Sequence, residues 1–255
     1  MTSLPSTITL DGRPLTVEAV AAVARGRVAI DIASAARDRM RAARAVIDDI
    51  ADHDRAVYGI NTGFGSLSKV RIPPEQLATL QTNIVPSHAA GVGDPLDSDL
   101  VRAMMLLLAA SLVRGHSGVR PELVDRILAL LDAGVTPVVP SRGSVGASGD
   151  LAPLSHLSLV LLGEGEVERD GQRLPTETVL EQLGLQGLQL QAKEGLALLN
   201  GTHLMAACGA LAIFDLERII EAATIAAAMS LDGCRASHGP LDARIHEVRR
   251  RPAQI

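Results

Sequence analysis

Aromatic residues are nearly absent from this 255-residue chain, which has one tyrosine, two phenylalanines and no tryptophan. With 47% hydrophobic residues, the chain is nevertheless apolar enough and long enough to bury a sizeable core. That core must be built from Ala, Leu, Val and Ile, and an abundance of Ala and Leu favours packed helices. The composition therefore predicts a mainly α protein.

Cysteine is also scarce, since Cys208 and Cys234 are far apart and form no Cys-x-x-Cys pair. This excludes a disulfide framework and a cysteine zinc site, so both residues are predicted to be packing residues. The seven histidines occur singly, without the His-x-x-x-His spacing that places two ligands on one helix face. We predict no metal.

The chain lacks an excess of positive charge, with 24 basic against 29 acidic residues and a formal charge of -5. Without aromatic residues interleaved among basic ones, a nucleic-acid surface is excluded. The apolar run from Met104 to Val113 is too short to span a bilayer, and four charges between 215 and 221 interrupt the stretch from His203 to Leu231. The N-terminus lacks the pattern of a signal peptide. We predict a cytoplasmic protein that contacts neither nucleic acid nor membrane.

Apolar residues at three- and four-residue spacing predict amphipathic helices along most of the chain. These cover Val17 to Ala24, Ile32 to Ile50, Leu77 to Val85, Asp97 to Val113, Pro121 to Leu131 and Leu151 to Leu162. Val167 to Leu174 predicts a small β-hairpin with Asp170-Gly171 at its turn, the only clear strand signal. Gly195 to Leu231 is apolar on more than one face, which is typical of a buried helix. We expect another subunit, or sequence beyond this chain, to cover it.

Glycine and other small residues dominate the stretch "GSVGASGDLAPL" at 143–154. A phosphate-binding loop requires lysine after its last glycine, but Asp150 follows Gly149 here. A nucleophile elbow requires Gly-x-Ser-x-Gly after a strand, whereas Ser148 lies in Gly-Ala-Ser-Gly. Both chemistries are therefore excluded.

A different chemistry suits this loop, because a sharp bend over Ala147-Ser148-Gly149 brings the Gly149 amide nitrogen to the Ala147 carbonyl carbon. Small residues permit that approach, and the attack closes a five-membered ring. Loss of water from the ring and from the Ser148 side chain leaves a conjugated exocyclic methylidene. The chain would thus make a strong electrophile from itself, without an added cofactor.

Four motifs in order resemble those of the aromatic amino acid ammonia-lyase family, whose members form 4-methylideneimidazol-5-one (MIO) from Ala-Ser-Gly. They are "YGINTGFG" (58–65), "LQTNIVPSHAAGVG" (80–93), "GSVGASGDLAPLSH" (143–156) and "EGLALLNGT" (194–202). "DARIHEVRRRPAQ" (242–254) is also similar to a segment of the histidine-acting members. The resemblance implies a mainly α, helical ammonia-lyase-like fold with glycine-rich active-site loops and a small β-hairpin. It implies an MIO-bearing domain over 1–194 and the truncated start of a central helical bundle over 195–255.

The resemblance assigns Ala147, Ser148 and Gly149 to the MIO ring, with Asn200 beside it supporting ring formation and the substrate amine. In the family, the substrate amine adds to the methylidene, a tyrosine oxygen takes a β proton and the amine departs. Tyr58 carries that tyrosine, although a lone tyrosine is often only a packed ring. A positioned base contributes roughly 10²- to 10⁴-fold, so the electrophile must supply much of the remaining acceleration.

Pyridoxal phosphate is a competing electron sink, but it requires a lysine, and only Lys69 and Lys193 are present, neither in a recognisable cofactor context. We predict no pyridoxal phosphate. The Ser87-His88-Ala89 sequence resembles histidine ammonia-lyases, in which this histidine helps to hold the substrate imidazole. Tyrosine-acting relatives also carry it, and a lone histidine is often only a hydrogen-bonded helix-end residue. His156 and His203 are predicted to be packing or supporting groups.

By this resemblance the chain converts L-histidine to trans-urocanate and ammonia, with an MIO aminomutase or a tyrosine ammonia-lyase as chemical variants. Family members are about twice this length, and their second half supplies an arginine, another tyrosine and a glutamate. A catalytically silent helical assembly module, or an inactive fragment retaining the MIO motif, is therefore the alternative. Either way we expect an oligomer, as a tetramer-like homo-oligomer or with a C-terminal-half chain.

Overall fold

The structure is a computed structural model that describes residues 7–26, 28–53, 55–145, 149–250 and 252–254. Helices dominate it, as the composition predicts. Within the described residues the α-helices are α1 (Val17–Arg25), α2 (Ser34–Asp52), α3 (Pro74–His88), α4 (Ser98–Val113), α5 (Pro121–Asp132), α6 (Leu151–Leu159), α7 (Thr176–Gln182), α8 (Glu194–Leu199), α9 (His203–Gly233) and α10 (Ala243–Val248).

Short strands join these helices in three small sheets. They are β1 (Thr7–Leu10), β2 (Ala29–Ile32), β3 (Val92–Pro95), β4 (Thr136–Pro137), β5 (Pro140–Arg142), β6 (Glu166–Arg169) and β7 (Gln172–Pro175). β1 pairs in parallel with β2, while β3 pairs with β5, and β4 with β6, in antiparallel fashion. β6 and β7 form the predicted hairpin, and Asp170 and Gly171 both have positive φ at its turn.

α4 forms the centre of the core because it is apolar on nearly every face. Met104, Leu106 and Leu108 are fully buried in it, and α1 and α5 pack against it. This aliphatic core is the one that the shortage of aromatic residues predicts. α3, α6 and α8 form a second group of packed helices, next to the loops of the sequence motifs.

The structure corrects several sequence-based expectations. β1 to β5 were not predicted, because strands of two to four residues carry too few alternations to be recognised. The predicted helix over Gly195 to Leu231 is two helices, α8 and α9, separated at Asn200–Thr202. The prediction that Cys208 and Cys234 are packing residues is wrong for this chain, since both are exposed free thiols.

The chain divides into two compact units, Met1–Leu211 and Ala212–Ile255. The predicted boundary between residues 194 and 195 falls at the start of α8 and stays a prediction. In the second unit α9 exposes a series of large apolar side chains, each between 48% and 70% accessible. They are Ile213, Leu216, Ile219, Ile220, Ile225 and Met229. An apolar surface of this size is typical of an interface with another chain. Burial of this surface in an oligomer stays a prediction.

One helical stretch, Glu194–Gly233, is long and apolar enough to cross a membrane by length and composition alone. Its most apolar window has a mean hydropathy of 1.6 and is 22% buried. A helix that is buried in the core of a soluble protein can have the same length and hydropathy. Asp215, Glu217 and Arg218 lie within α9, where a bilayer would make their charges costly.

Candidate active site

The glycine-rich loop and the "NGT" loop meet at Gly149 and Gly201. Gly149 has φ +120°, and a Cβ built on it would lie 2.4 Å from the Gly201 carbonyl oxygen. Only glycine fits both that backbone conformation and that space. Ala147 and Ser148, the other two residues assigned to the ring, lie outside the described residues. The structure therefore places one of the three beside the Asn200 segment.

Asp150 connects the glycine-rich loop to two further segments and to Ser144 within the loop. It is fully buried, and its backbone N–H donates to the Gly201 carbonyl at 2.7 Å. Its Oδ1 accepts a hydrogen bond from Ser144 Oγ at 2.8 Å. Its Oδ2 accepts from the backbone N–H groups of Leu204 and Met205 at 2.9 and 3.2 Å, which are in the first turn of α9. The carboxylate thus caps a helix that begins far along the chain, where negative charge is stabilised.

We expect Asp150→Ala to lower the free energy of unfolding by about 2 kcal/mol, because two part-buried backbone amides and a hydroxyl lose their acceptor. Urea denaturation followed by circular dichroism measures the change. Asp97→Ala is the matched control, since Asp97 is also a helix N-cap but makes no side-chain capping bond. Equal stability of Asp150→Ala and Asp97→Ala would contradict the capping role.

The loop that carries Tyr58 is held by the carboxamide of Asn61. Asn61 is fully buried, accepts a hydrogen bond from Val57 N at 2.7 Å, and donates to three carbonyl oxygens at residues 50, 53 and 55. Gly59 has φ +75°, and Ile60 is buried against the cluster formed by α2 and α3. The backbone on both sides of Tyr58 is therefore fixed by buried contacts.

Tyr58 itself is 57% exposed, and its ring makes an edge-to-face contact with Phe64 at a centroid distance of 6.3 Å. An exposed tyrosine on an anchored loop is not the packed ring that was the alternative interpretation. The phenol is therefore accessible for chemistry in this chain.

Asn200 is the C-cap of α8 and is exposed. Its Nδ2 donates to the carbonyl oxygen of Leu196 at 3.0 Å, which orients the carboxamide. Gly201 follows directly, and a Cβ there would lie 2.1 Å from the His203 ring. The backbone that links Asn200 to the Gly149 loop is thus confined on both sides.

The start of α8 is fixed by a buried ion pair that the sequence analysis missed. The Glu194 carboxylate is fully buried and accepts hydrogen bonds from Nε and Nη2 of Arg120 at 2.9 and 2.8 Å. The backbone amides of Arg120 and Gln191 complete its hydrogen bonding. Lys193 donates to the Ser117 carbonyl at 2.9 Å, and burial lowers the pKa of its ammonium group. The absence of pyridoxal phosphate stays a prediction.

His88 is the last residue of α3 and is half-buried. Its Nδ1 lies 3.0 Å from the Ile84 carbonyl and 3.0 Å from Ser87 Oγ. Since a carbonyl only accepts, Nδ1 carries a proton in this arrangement, which leaves Nε2 as the other nitrogen of the ring. His88 therefore has the hydrogen bonding of a helix-end residue and a second nitrogen that a ligand can use.

His156 and His203 support the loops, as predicted. His156 Nε2 accepts a hydrogen bond from Gly91 N at 3.0 Å, which joins α6 to the segment after His88. Burial lowers the pKa of His156, which favours the neutral ring that such an acceptor requires. Burial also lowers the pKa of His203, while the nearby Asp150 carboxylate opposes that effect.

These contacts gather the predicted residues around α8. Gly149 contacts the backbone after Asn200, Gly59 contacts the Leu196 side chain, and α3 packs on α6 and α8. The sequence analysis missed Asp150 and Asn61 as organising residues. An aspartate directly before a helical pattern, or an asparagine within a glycine-rich loop, was the available signal.

The chain is similar to known proteins over a range that includes these motifs. A family model described as aromatic amino acid lyase matches residues 15–255. The histidine ammonia-lyase of Anaeromyxobacter sp. (strain K) is 50% identical, over 98% of this chain and 50% of its own length. That of Deinococcus radiodurans is 49% identical, over 95% of this chain and 46% of its own length. The chain therefore spans about half the length of these curated relatives.

Two solved structures have the same fold. The histidine ammonia-lyase of Trypanosoma cruzi is 42% identical with a TM-score of 0.87, over 95% of this chain and 47% of its own. The tyrosine aminomutase of Streptomyces globisporus is 37% identical with a TM-score of 0.88, over 96% of this chain and 46% of its own. These likenesses confirm the predicted mainly α, helical fold.

Proposed function

Because the chain belongs to the aromatic amino acid lyase family, we propose that it is the electrophile-bearing half of a histidine ammonia-lyase, which converts L-histidine to trans-urocanate and ammonia. The observation that carries the proposal is the contact of Gly149 with Gly201, because it joins the Ala-Ser-Gly loop to the Asn200 loop. A catalytically silent module that retains the motif is the alternative, and the mass and activity measurements below distinguish the two.

The chain's residues fit an MIO group made from Ala147, Ser148 and Gly149. Ring closure requires a tight bend at Gly149, and φ +120° with no room for a Cβ is compatible with it. Once formed, the group supplies an electrophilic methylidene that turns the substrate amine into a leaving group. Asp150, buried and fully hydrogen-bonded next to it, holds the C-terminal side of the loop in place.

Tyr58, Asn200 and His88 are polar groups that this chain contributes to the reaction. The phenolic oxygen of the exposed Tyr58 takes the β proton. Asn200 Nδ2 is held by the Leu196 carbonyl, and among the described residues its Oδ1 has no partner, so Oδ1 can accept a hydrogen bond from the substrate amine. His88 Nε2 hydrogen-bonds the substrate imidazole, because Nδ1 is already engaged with the Ile84 carbonyl.

Similarity favours histidine as the substrate, since the histidine ammonia-lyases are more identical to this chain than the tyrosine aminomutase is. The aminomutase likeness makes rearrangement of an aromatic amino acid the second candidate. The two reactions differ in products, because only the lyase releases ammonia.

The active form is an assembly that covers the second part of α9. Its exposed isoleucines and leucine require apolar cover, either from further copies or from a chain that supplies the remaining half of the family's length. The assembly works in the cytoplasm, without metal, membrane or nucleic acid.

A peptide mass measurement tests the proposal. After digestion, the peptide spanning Ala147-Ser148-Gly149 should be lighter than its sequence by two water molecules, and the assembled protein should form urocanate and ammonia from L-histidine. The assay is run on the chain alone and with a candidate C-terminal-half chain, using light scattering to establish assembly. An unmodified peptide in an assembly that also leaves histidine unchanged would overturn the proposal.

A further inference from the structure

Gln81 is a fully buried polar residue of α3 that the proposed reaction does not use. Its Oε1 accepts a hydrogen bond from the backbone N–H of Leu196 at 3.1 Å. Its Nε2 is buried and has no partner within the described part of the chain. An apolar side chain of the same size would fill this space without an unpaired amide, so the interaction through Oε1 is the reason for glutamine here.

α8 needs that interaction because it has only six residues and no cap of its own. The first backbone N–H groups of a helix have no partner within the helix. The N-cap, Lys193, is in the left-handed conformation and makes no side-chain capping bond. Gln81, on the neighbouring α3, instead caps α8 by accepting the Leu196 N–H. The two helices are in close contact there, since a Cβ on Gly195 would lie 2.2 Å from the Gln81 carbonyl oxygen.

Leu196 transmits the position of α8 to two segments of the candidate site. Its side chain packs on the loop of Tyr58, where a Cβ on Gly59 would lie 2.3 Å from Leu196 Cδ2. Its carbonyl oxygen accepts a hydrogen bond from Asn200 Nδ2. Its backbone N–H is the group that Gln81 holds. One residue therefore contacts α3, the Tyr58 loop and Asn200 through three different groups.

We propose that Gln81 is a positioning residue for Tyr58 and Asn200, acting through Leu196. The proposal rests on the proposed function, in which those two side chains act on the substrate. Loss of the bond between Gln81 and Leu196 loosens α8, and with it the backbone next to Tyr58.

Tyr58 reports on this directly, because the chain has one tyrosine and no tryptophan. The fluorescence anisotropy of the 255-residue chain is measured for the parent and for Gln81→Met, which keeps the size of the side chain and removes its amide group. The matched control is Thr176→Val. Thr176 is 1% exposed, has a buried Oγ1 without a partner among the described residues, and opens α7. We expect lower anisotropy in Gln81→Met and parent anisotropy in Thr176→Val.

Leu196→Ala decides the question if circular dichroism shows that Gln81→Met is unfolded, because it removes the contact with Gly59 and keeps the backbone. We expect it to lower the anisotropy as well. Parent anisotropy in whichever of these variants is folded, or an equal decrease in Thr176→Val, would overturn the proposal.

Kinetics provide a second readout in an assembly that forms urocanate. There Gln81→Met should lower kcat about ten- to a hundredfold with little change in KM, since misplacement affects groups that act on the reacting atoms. An unchanged kcat would overturn the proposal. The anisotropy is independent of lyase chemistry, so a parent chain without the two-water deficit would refute the proposed function while the anisotropy still tests Gln81.

Discussion

Ser148→Ala should abolish both the two-water mass deficit and urocanate formation. The Ser148 side chain is the source of the methylidene carbon, and alanine has no hydroxyl to lose. Without the electrophile the substrate amine remains a poor leaving group, and the remaining binding groups cannot replace that chemistry. Mass spectrometry of the loop peptide and an assay for urocanate measure the two effects in the same preparation.

Ser144→Ala is the control for this prediction, because Ser144 belongs to the same loop but not to the Ala-Ser-Gly sequence. It loses only the hydrogen bond to Asp150 Oδ1. We expect its loop peptide to keep the mass deficit. Persistence of the deficit in Ser148→Ala would show that the modification has another origin.

Tyr58→Phe should leave the fold and the mass deficit intact and lower histidine turnover roughly 10²- to 10⁴-fold, the usual contribution of a positioned base. The substitution keeps the ring and hence its contact with Phe64, so only the hydroxyl is removed. The same assembly that forms urocanate in the parent must be used, with turnover measured over a range of pH.

Phe64→Leu separates the hydroxyl from the ring contact, because it disturbs the packing of Tyr58 and keeps its phenol. We expect it to retain much more turnover than Tyr58→Phe. Equal turnover of Tyr58→Phe and the parent would eliminate Tyr58 as the base.

Much of the helical framework could be predicted from periodicity, as α4 and α5 illustrate, and the hairpin from Asp170-Gly171. The break between α8 and α9 was missed although Asn200-Gly201 is a turn dipeptide, because the apolar residues on both sides of it were interpreted as one helix. The strand β1 was missed for a different reason, since its partner β2 lies beyond a complete helix.

The candidate residues came from motif resemblance, whereas their supports are visible only in three dimensions. Asp150 was read as a charge that excludes phosphate, but its bonds to Leu204 and Met205 depend on a helix distant in sequence. Gln81 and Glu194 likewise have partners far along the chain. Local patterns do not encode such pairs.

The contact between Gly149 and Gly201 has a consequence for the order of events during synthesis. The ribosome makes the glycine-rich loop before it makes Gly201 and the first turn of α9, which hold that loop from outside. A nascent chain that ends before them lacks the groups that keep Gly149 bent. Under the proposed function, ring closure would therefore wait for this later segment, and an incomplete chain would not carry the electrophile.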